Sequence, residues 1–432
     1  MGEEKKEAAK GFTKRDFLKT ALIGAAGVAA GGSLGPAILR AQAKPIRLGL
    51  LGVASGPIGM SGEAAFRGVQ LWVDEINNKG GLLGRKVEAF QRDTFGKPEE
   101  AVRYAREFAA GSDVDLIFAH GSSAEAFAIA AISKDLRKVV FAINETTAFT
   151  ADPKVRSRYC FRSTRDTLLD NIVGGRYAAN KSQELGLTRW YTIAADYSFG
   201  RESVDTFLEH LKKFYPKAEI IGQAWPKLGE ADFTPHITAI MRAKPDAVYN
   251  DLYGGDVTSF IRQGWVYGLF DTSKFFMKSL AEYEAIDAVR KGLGKFPAGL
   301  YSATMYTSTF PDTKVNHEFN DAHVKHFGSP PLHWTWGAYT GALLFGEAVR
   351  KAKTTETEAV VGALKDLTVK DPIGIGPNGT VTMRSRDNQL IYYAQGWGST
   401  VSEEPYLNDI VAGNWNEMLA QEMEWLKKRG WL

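Results

Sequence analysis

Residues 46–86 constrain the fold most. They open with IRLGLLG, a nearly unbroken apolar run, pass through the glycine-rich VASGPIGMSG, and end in NNKGGLLGRK. Between these, Phe66, Val69, Val73 and Ile76 recur at spacings of three and four. An apolar run without alternation suits a parallel strand covered on both faces, and the spacing that follows it is that of an amphipathic helix. Strand, short loop and helix make the first half of a βαβ unit, so the rest of the chain is expected to add parallel strands to this one.

What precedes this stretch reads as a separate segment. A lysine-rich start leads to TKRDFLKT, then to a Gly/Ala-rich run broken by Pro36, then to Ala41-Gln42-Ala43, which fits an A-x-A cleavage site. Residues 1–43 are therefore expected to be an export signal. The run from Thr13 to Lys19 resembles the twin-arginine motif, with Lys14 where the first arginine is expected. Ordinary secretion and an uncleaved anchor are the other readings. A permanent span wants about 20 predominantly apolar residues, which this run does not supply.

The signal also carries the net charge. It holds seven of the 53 basic and four of the 50 acidic residues, so 46 of each lie beyond it. An even balance without Lys/Arg clusters argues against a nucleic-acid partner. The single cysteine, Cys160, excludes an internal disulfide and a multi-cysteine zinc site. The 389 residues after Ala43 exceed what one core usually organises, which predicts two lobes.

The order of elements supports that division. Strands over 87–92, 114–120 and 139–143 alternate with helices over 98–110 and 123–136. The pattern then restarts, with helices over 167–185, 201–214, 233–243 and 256–267 and strands over 190–195, 219–224, 247–252, 274–278 and 299–302. A helix over 335–353 is expected to return to the first lobe. Beyond 371 the chain reads as irregular and β-like, and its tryptophans (Trp397, Trp415, Trp425, Trp431) read as a tail packed against a lobe.

Catalytic signatures are missing. There is no G-x-x-x-x-G-K-[ST] loop, no G-x-S-x-G elbow and no G-x-G-x-x-G after the first strand. His317, Glu318, His323 and His326 cluster in HEFNDAHVKH, but on a helix only His323 and His326 share a face, so the cluster reads as a solvated helix rather than a metal site. No enzyme activity, cofactor or metal is expected.

Binding chemistry remains. In open α/β sheets ligands lie beyond the carboxyl ends of strands, where helix N-termini present free amides. Five such loops stand out: 55–62, ending in Ser61-Gly62; His120-Gly121-Ser122-Ser123; Asn144-Glu145-Thr146-Thr147; Asp196-Tyr197-Ser198-Phe199-Gly200; and Tyr249-Asn250-Asp251-Leu252-Tyr253-Gly254.

With these pieces in order (the opening stretch, RDTFGKPEEAV, HGSSAEAFAIA, FRSTRD, DYSFGRE, KPDAVYNDLYGG), the chain resembles the type I periplasmic substrate-binding proteins of ABC transporters, the leucine/isoleucine/valine-binding branch in particular. The resemblance covers nearly all of residues 45–395. It implies an α/β fold of two doubly wound parallel-sheet lobes joined by three crossings, near 161–164, 301–303 and 371–376. The lobes are then 44–162 with 303–373, and 163–302 with 374–432. It also implies a periplasmic protein that captures a small ligand in the interlobe cleft and hands it to the permease of an importer; a sensor or regulator on the same fold is the alternative.

Carried over residue by residue, the resemblance puts Ser122 or Ser123 on a ligand carboxylate. The loop after 139–143 departs from the family's S-P-x-A-T, leaving Asn144 and Thr146 beside the ligand. His120, Tyr197, Phe199, Asp251 and Tyr253 complete the expected lining. Where amino-acid binders of the family carry a carboxylate for the ligand ammonium, this chain reads Lys278-Ser279-Leu280-Ala281, and Ser61 stands where they can carry tyrosine. An unpaired buried ammonium is costly. The resemblance with these departures implies an organic acid, in one form aromatic, with an amino acid or amide left open because Glu145, Asp251 or Glu282 could supply the charge.

Overall fold

The apolar runs that the sequence marks as strands become the centres of two sheets. The structure, a computed structural model, describes residues 44–432 apart from 57, 112 and 113. The expected export signal lies outside the described residues.

The first run of the chain gives β1 (Ile46–Gly52), α1 (Gly59–Asn78), β2 (Val87–Asp93), α2 (Pro98–Ala110), β3 (Leu116–His120), α3 (Ser123–Leu136), β4 (Val139–Ile143), the single turn α4 (Ala148–Ala151) and β5 (Cys160–Arg162). The second gives α5 (Thr167–Leu185), β6 (Arg189–Ala194), α6 (Ser198–Phe214), β7 (Glu219–Ala224), α7 (Thr234–Ala243), β8 (Ala247–Asp251), α8 (Gly255–Val266), β9 (Lys274–Met277), α9 (Tyr283–Leu293) and β10 (Tyr301–Thr304). There follow α10 (Lys314–Phe327), α11 (His333–Ala352), α12 (Thr357–Leu364), β11 (Leu367–Lys370), β12 (Thr380–Arg384), β13 (Gln389–Ile391), β14 (Gly396–Thr400), β15 (Leu407–Ala412) and α13 (Trp415–Lys428).

Eight strands form the first sheet in the order β11-β12-β13-β5-β4-β3-β1-β2, and seven form the second in the order β15-β14-β10-β9-β8-β6-β7. β1 to β5 pair in parallel, as do β6 to β10, while the C-terminal strands add mainly antiparallel edges. Strand centres are wholly buried, with the rings of Phe118, Phe141 and Phe161 of adjacent strands packed at a tilt, their centroids 6.0 and 5.6 Å apart. Two glycines of α1 allow close approach. A Cβ on Gly62 would lie 1.9 Å from the Val53 carbonyl oxygen, and one on Gly68 2.1 Å from that of Thr335, so α11 packs tightly across α1.

This is the doubly wound two-lobe architecture expected, but two crossings move. The chain leaves the first sheet after Arg162, as placed. The second crossing follows Thr304, because β10 pairs with β9 and β14 inside the second sheet. The third lies between Ile391 and Gly396 rather than at 371–376: β12 and β13 pair back onto β5, so the lobe boundary at 373/374 is corrected to about twenty residues later. On α10 the solvated reading holds for His317, Glu318 and His326, which are exposed, and is corrected for His323, which is buried with its Nδ1 2.7 Å from the Ser329 carbonyl. Trp397 stacks on Tyr177 at 5.8 Å and Trp425 is buried, so these two pack as core, while Trp415 and Trp431 are partly buried against it. Among the described residues no helix is long and apolar enough to cross a membrane.

Candidate functional site

The carboxyl ends of β1, β3 and β4 face those of β6 and β8 across a cavity of about 530 Å3. Its first-lobe wall is polar. Ser61 is in the first turn of α1, not in the loop before it, because the helix starts at Gly59. Its hydroxyl lies 2.7 Å from His120 Nε2 and 2.5 Å from the Ile58 carbonyl. Burial pushes the His120 pKa down to about 4, so the ring is neutral with one proton. The Ile143 carbonyl, 2.7 Å from Nδ1, can take that proton, and the single hydroxyl proton of Ser61 is shared between two acceptors, Nε2 and the Ile58 carbonyl.

The two candidate serines differ in their partners. Ser122 caps α3: its hydroxyl accepts from the Glu125 amide, and the Glu125 carboxylate accepts from the Ser122 amide at 2.8 Å. Ser123 is free of this box, and its hydroxyl pairs with that of Thr146 at 2.8 Å. The first amides of α3 have no intrahelical partner, as at any helix start, so this wall presents N–H groups and hydroxyls to a negative group. Asn144, only 4% exposed, lines the cavity with both amide atoms buried and unpartnered.

The opposite wall is aromatic. α6 starts at Ser198, three residues earlier than expected, so Tyr197 is its N-cap and Phe199 sits in its first turn. Their rings are 5.8 Å apart. Tyr253, beyond β8, donates to Glu284 at 2.9 Å and accepts from the indole N–H of Trp334 at 2.6 Å. Trp334 belongs to α11 of the first lobe, and its ring lies 4.8 Å from His120 and 6.1 Å from Tyr253. Its hydrogen bond to Tyr253 therefore joins the lobes over the cavity.

Behind the cavity lies a buried cluster of charge. Arg165, just past the first crossing, donates to Glu145 at 2.8 Å and lies 3.4 Å from Asp170. His333 bridges the lobes, with Nε2 3.4 Å from Glu145 and Nδ1 2.9 Å from Glu282. Lys278 lies 3.6 Å from Asp251, 3.0 Å from Ser203 Oγ and 4.6 Å above the Phe199 ring. Burial opposes ionisation throughout, yet Arg165, His333 and Lys278 together hold the Glu145 pKa well below the carboxylate range. For His333 burial is outweighed by Glu282 and Glu145, which raise its pKa to about 9. Where compensation is weaker burial wins: Asp251 is pushed up to about 6, and Asp170 and Glu284 to about 7. One further tie joins the lobes, from the Thr147 amide to Glu202 at 2.7 Å.

Of the residues singled out in the sequence, Ser61, His120, Ser122, Ser123, Asn144, Thr146, Tyr197, Phe199 and Tyr253 come together on the cavity. Asp251 and Lys278 do not: they are paired behind Phe199, because the β8 and β9 ends point into the buried cluster. Trp334, Leu228 and Ile58 also line the cavity and escaped notice. The signal for Trp334 was His333-Trp334 directly before the expected helix 335–353, a titratable and aromatic pair at a helix start.

Residues 45–395 match the model of a family described as periplasmic binding protein. A curated relative, Leu/Ile/Val-binding protein homolog 4 of Brucella abortus (strain 2308), is 25% identical over 370 residues, which cover 81% of this chain and 82% of the relative. Among solved structures, an ABC transporter substrate-binding protein from Sphaerobacter thermophilus is 26% identical with a TM-score of 0.72, covering 85% of this chain and 98% of that one. A solute binding protein of an ABC transporter from Rhodopseudomonas palustris BisB5, solved in complex with 3,4-dihydroxy benzoic acid, has a TM-score of 0.75 at 21% identity, covering 85% and 97%.

Proposed function

Because the chain belongs to the periplasmic binding protein family, we propose that it captures a small carboxylate-bearing solute between its lobes and delivers it to the permease of an ABC importer. It acts outside the cytoplasmic membrane after its first 43 residues are removed. The ligand's anion sits at the start of α3, held by N–H dipoles and by Ser123 and Thr146, and its body lies among Tyr197, Phe199, Tyr253 and Trp334. Closure forms the ties between Trp334 and Tyr253, between Thr147 and Glu202, and from His333 to Glu282.

One observation carries the choice of an acid over an amino acid. Each carboxylate near enough to receive an ammonium already has a cation beside it: Arg165 and His333 at Glu145, Lys278 at Asp251, His333 at Glu282. Arg165, Lys278 and His333 already balance Glu145, Asp251 and Glu282, so a further positive charge there would have no carboxylate left to itself in a low-dielectric setting. An aromatic body suits the four rings of the cavity, and the Rhodopseudomonas neighbour's dihydroxybenzoic acid is a ligand of this class. The second reading, a branched-chain amino acid with Glu145 on its ammonium, is favoured by the name of the Brucella relative and by the presence of Glu145 in the lining.

Calorimetry with 3-phenylpropanoate, phenylalanine and leucine separates the two. The acid is expected to bind at least about tenfold more tightly than phenylalanine, since a misplaced charge costs more than 1.4 kcal/mol. Tight binding of only the amine-bearing ligands overturns the acid reading.

A further inference from the structure

Asn144 stands apart from the other polar groups on the cavity wall. Ser61 is used by His120, Ser123 and Thr146 satisfy one another, and Ser122 is held in the capping box of α3. Among the described cavity-lining residues, Asn144 is the one whose side-chain polar atoms are buried and unpartnered, and this holds for both Oδ1 and Nδ2. Its backbone is not idle, since its carbonyl accepts from Thr164 at 2.7 Å and so fixes the residue at the end of β4. A buried amide left without partners is strongly disfavoured, and a rigidly placed one defines what must come to it.

The two atoms demand different things. Nδ2 needs an acceptor and Oδ1 needs a donor. A carboxylate only accepts, an aromatic ring offers neither group in its plane, and an ammonium only donates. A hydroxyl does both, or shares the task with a neighbouring carboxylate oxygen, donating to Oδ1 while that oxygen accepts from Nδ2. An ammonium beside a carboxylate has the same geometry but brings the positive charge that Arg165, His333 and Lys278 oppose. We propose that Asn144 is a specificity residue that reads a neutral hydroxyl on the ligand, so that the cavity's substrate class is a hydroxylated carboxylic acid. This rests on the reading of the cavity as an acid-binding site.

The hydroxyl can sit beside the carboxylate or on a ring, and one calorimetric series on the signal-free chain distinguishes these. Its probes are 3-phenylpropanoate, 3-phenyllactate and 3-(4-hydroxyphenyl)propanoate, each hydroxylated probe differing from the first by one hydroxyl, with phenylalanine as the charged counterpart. One hydroxylated acid is expected to bind about tenfold or more tightly than 3-phenylpropanoate, the ratio that an unmade buried hydrogen bond produces. The arm that gains locates the hydroxyl. In Asn144→Leu the ratio is expected to fall to within about threefold of unity, because the group that tells the hydroxylated acid from the plain one is gone.

Equal affinity of wild type for the hydroxylated and plain acids overturns the role of Asn144 and leaves the acid reading standing. Binding of none of the acids overturns both, as does tightest binding of phenylalanine. A ratio that persists in Asn144→Leu assigns the hydroxyl to another residue and also sinks the proposal. The wild-type series decides the ligand class even if the variant does not fold.

Discussion

The cavity's first-lobe wall and the cluster behind it both take their polar residues from strand ends, but the wall is dipolar and the cluster is charged. On the wall stand hydroxyls, an amide, a neutral imidazole and a helix start. Behind it, Arg165, Lys278 and His333 meet Asp170, Asp251, Glu282 and Glu145, the last of which also reaches the cavity lining. Charge placed on the wall would bind tightly any counter-ion that entered, whereas charge placed behind it holds lobe to lobe and leaves recognition to groups with direction. The division also explains how four carboxylates can stand near a cavity proposed to take an anion: Arg165, Lys278 and His333 lie among them and offset most of their charge.

The largest test of this contrast removes the hub of the cluster. Arg165→Met keeps volume and leaves Glu145 and Asp170 without their guanidinium. Breaking a buried pair from one side costs about 3–5 kcal/mol, so urea unfolding is expected to show a loss of that order. A loss under about 1 kcal/mol would mean that the cluster is hydrated and does not organise the lobes.

The second test is pH. His333 has its pKa raised from 6.5 to about 9, so its contribution is complete below pH 6.5 and disappears as pH climbs towards 9. Asp170, Glu284 and Asp251 are raised as well, to about 7, 7 and 6, so the folded chain holds protons that the unfolded chain has released, and their effect on stability also falls as pH rises from about 4 to 7. All four pull the same way. Stability is expected to drop by roughly 3–6 kcal/mol between pH 6 and pH 9, about half of it from His333, and His333→Gln to flatten the upper part of that slope. A flat wild-type profile would remove His333 from the interlobe tie. Glu145 acts at the other extreme: its depressed pKa makes a contribution that is lost only as pH falls below the ordinary carboxylate range.

A smaller effect is expected where the two regions touch. Trp334→Phe keeps a ring over the cavity but deletes the N–H that bonds Tyr253 across the lobes. One hydrogen bond contributes about 1 kcal/mol, so ligand affinity is expected to weaken about fivefold while the melting temperature hardly moves. An unchanged affinity would make the bond incidental to closure.

The sequence made the wall far more legible than the cluster. Parallel strands buried on both faces are continuous apolar runs, and the loops after them follow by position, so Ser61, His120, Ser123, Asn144 and Thr146 could be named before any coordinates. The cluster joins Glu145, Arg165, Glu282 and His333 from four separate segments, and no spacing records that meeting. His333 and Trp334 are hidden because a helix rich in Ala and Leu reads as packing, and the helix starts two residues before the expected 335. The late strands failed differently. β13 is three residues long and pairs with an equally short β5, so nothing local said which sheet would take it. The departure of Lys278 from the family pattern was legible, but its meaning was not. It supplies the cation that occupies Asp251.

The smallest prediction separates two adjacent serines that the sequence could not rank. Ser122 has its hydroxyl and amide committed to Glu125, whose other oxygen accepts from Thr94 at 2.5 Å. Ser123 is tied only to Thr146, and that hydroxyl pair can turn to a ligand without undoing a helix cap. Ser122→Ala is therefore expected to lower stability by about 1 kcal/mol, the usual loss for an N-cap, with acid affinity nearly unchanged. Ser123→Ala is expected to leave stability within about 0.5 kcal/mol and to weaken binding of a carboxylate probe severalfold. If the two variants exchange these profiles, the capping serine is also the ligand serine, and the contrast between a wall that recognises and a frame that holds breaks down at the start of α3.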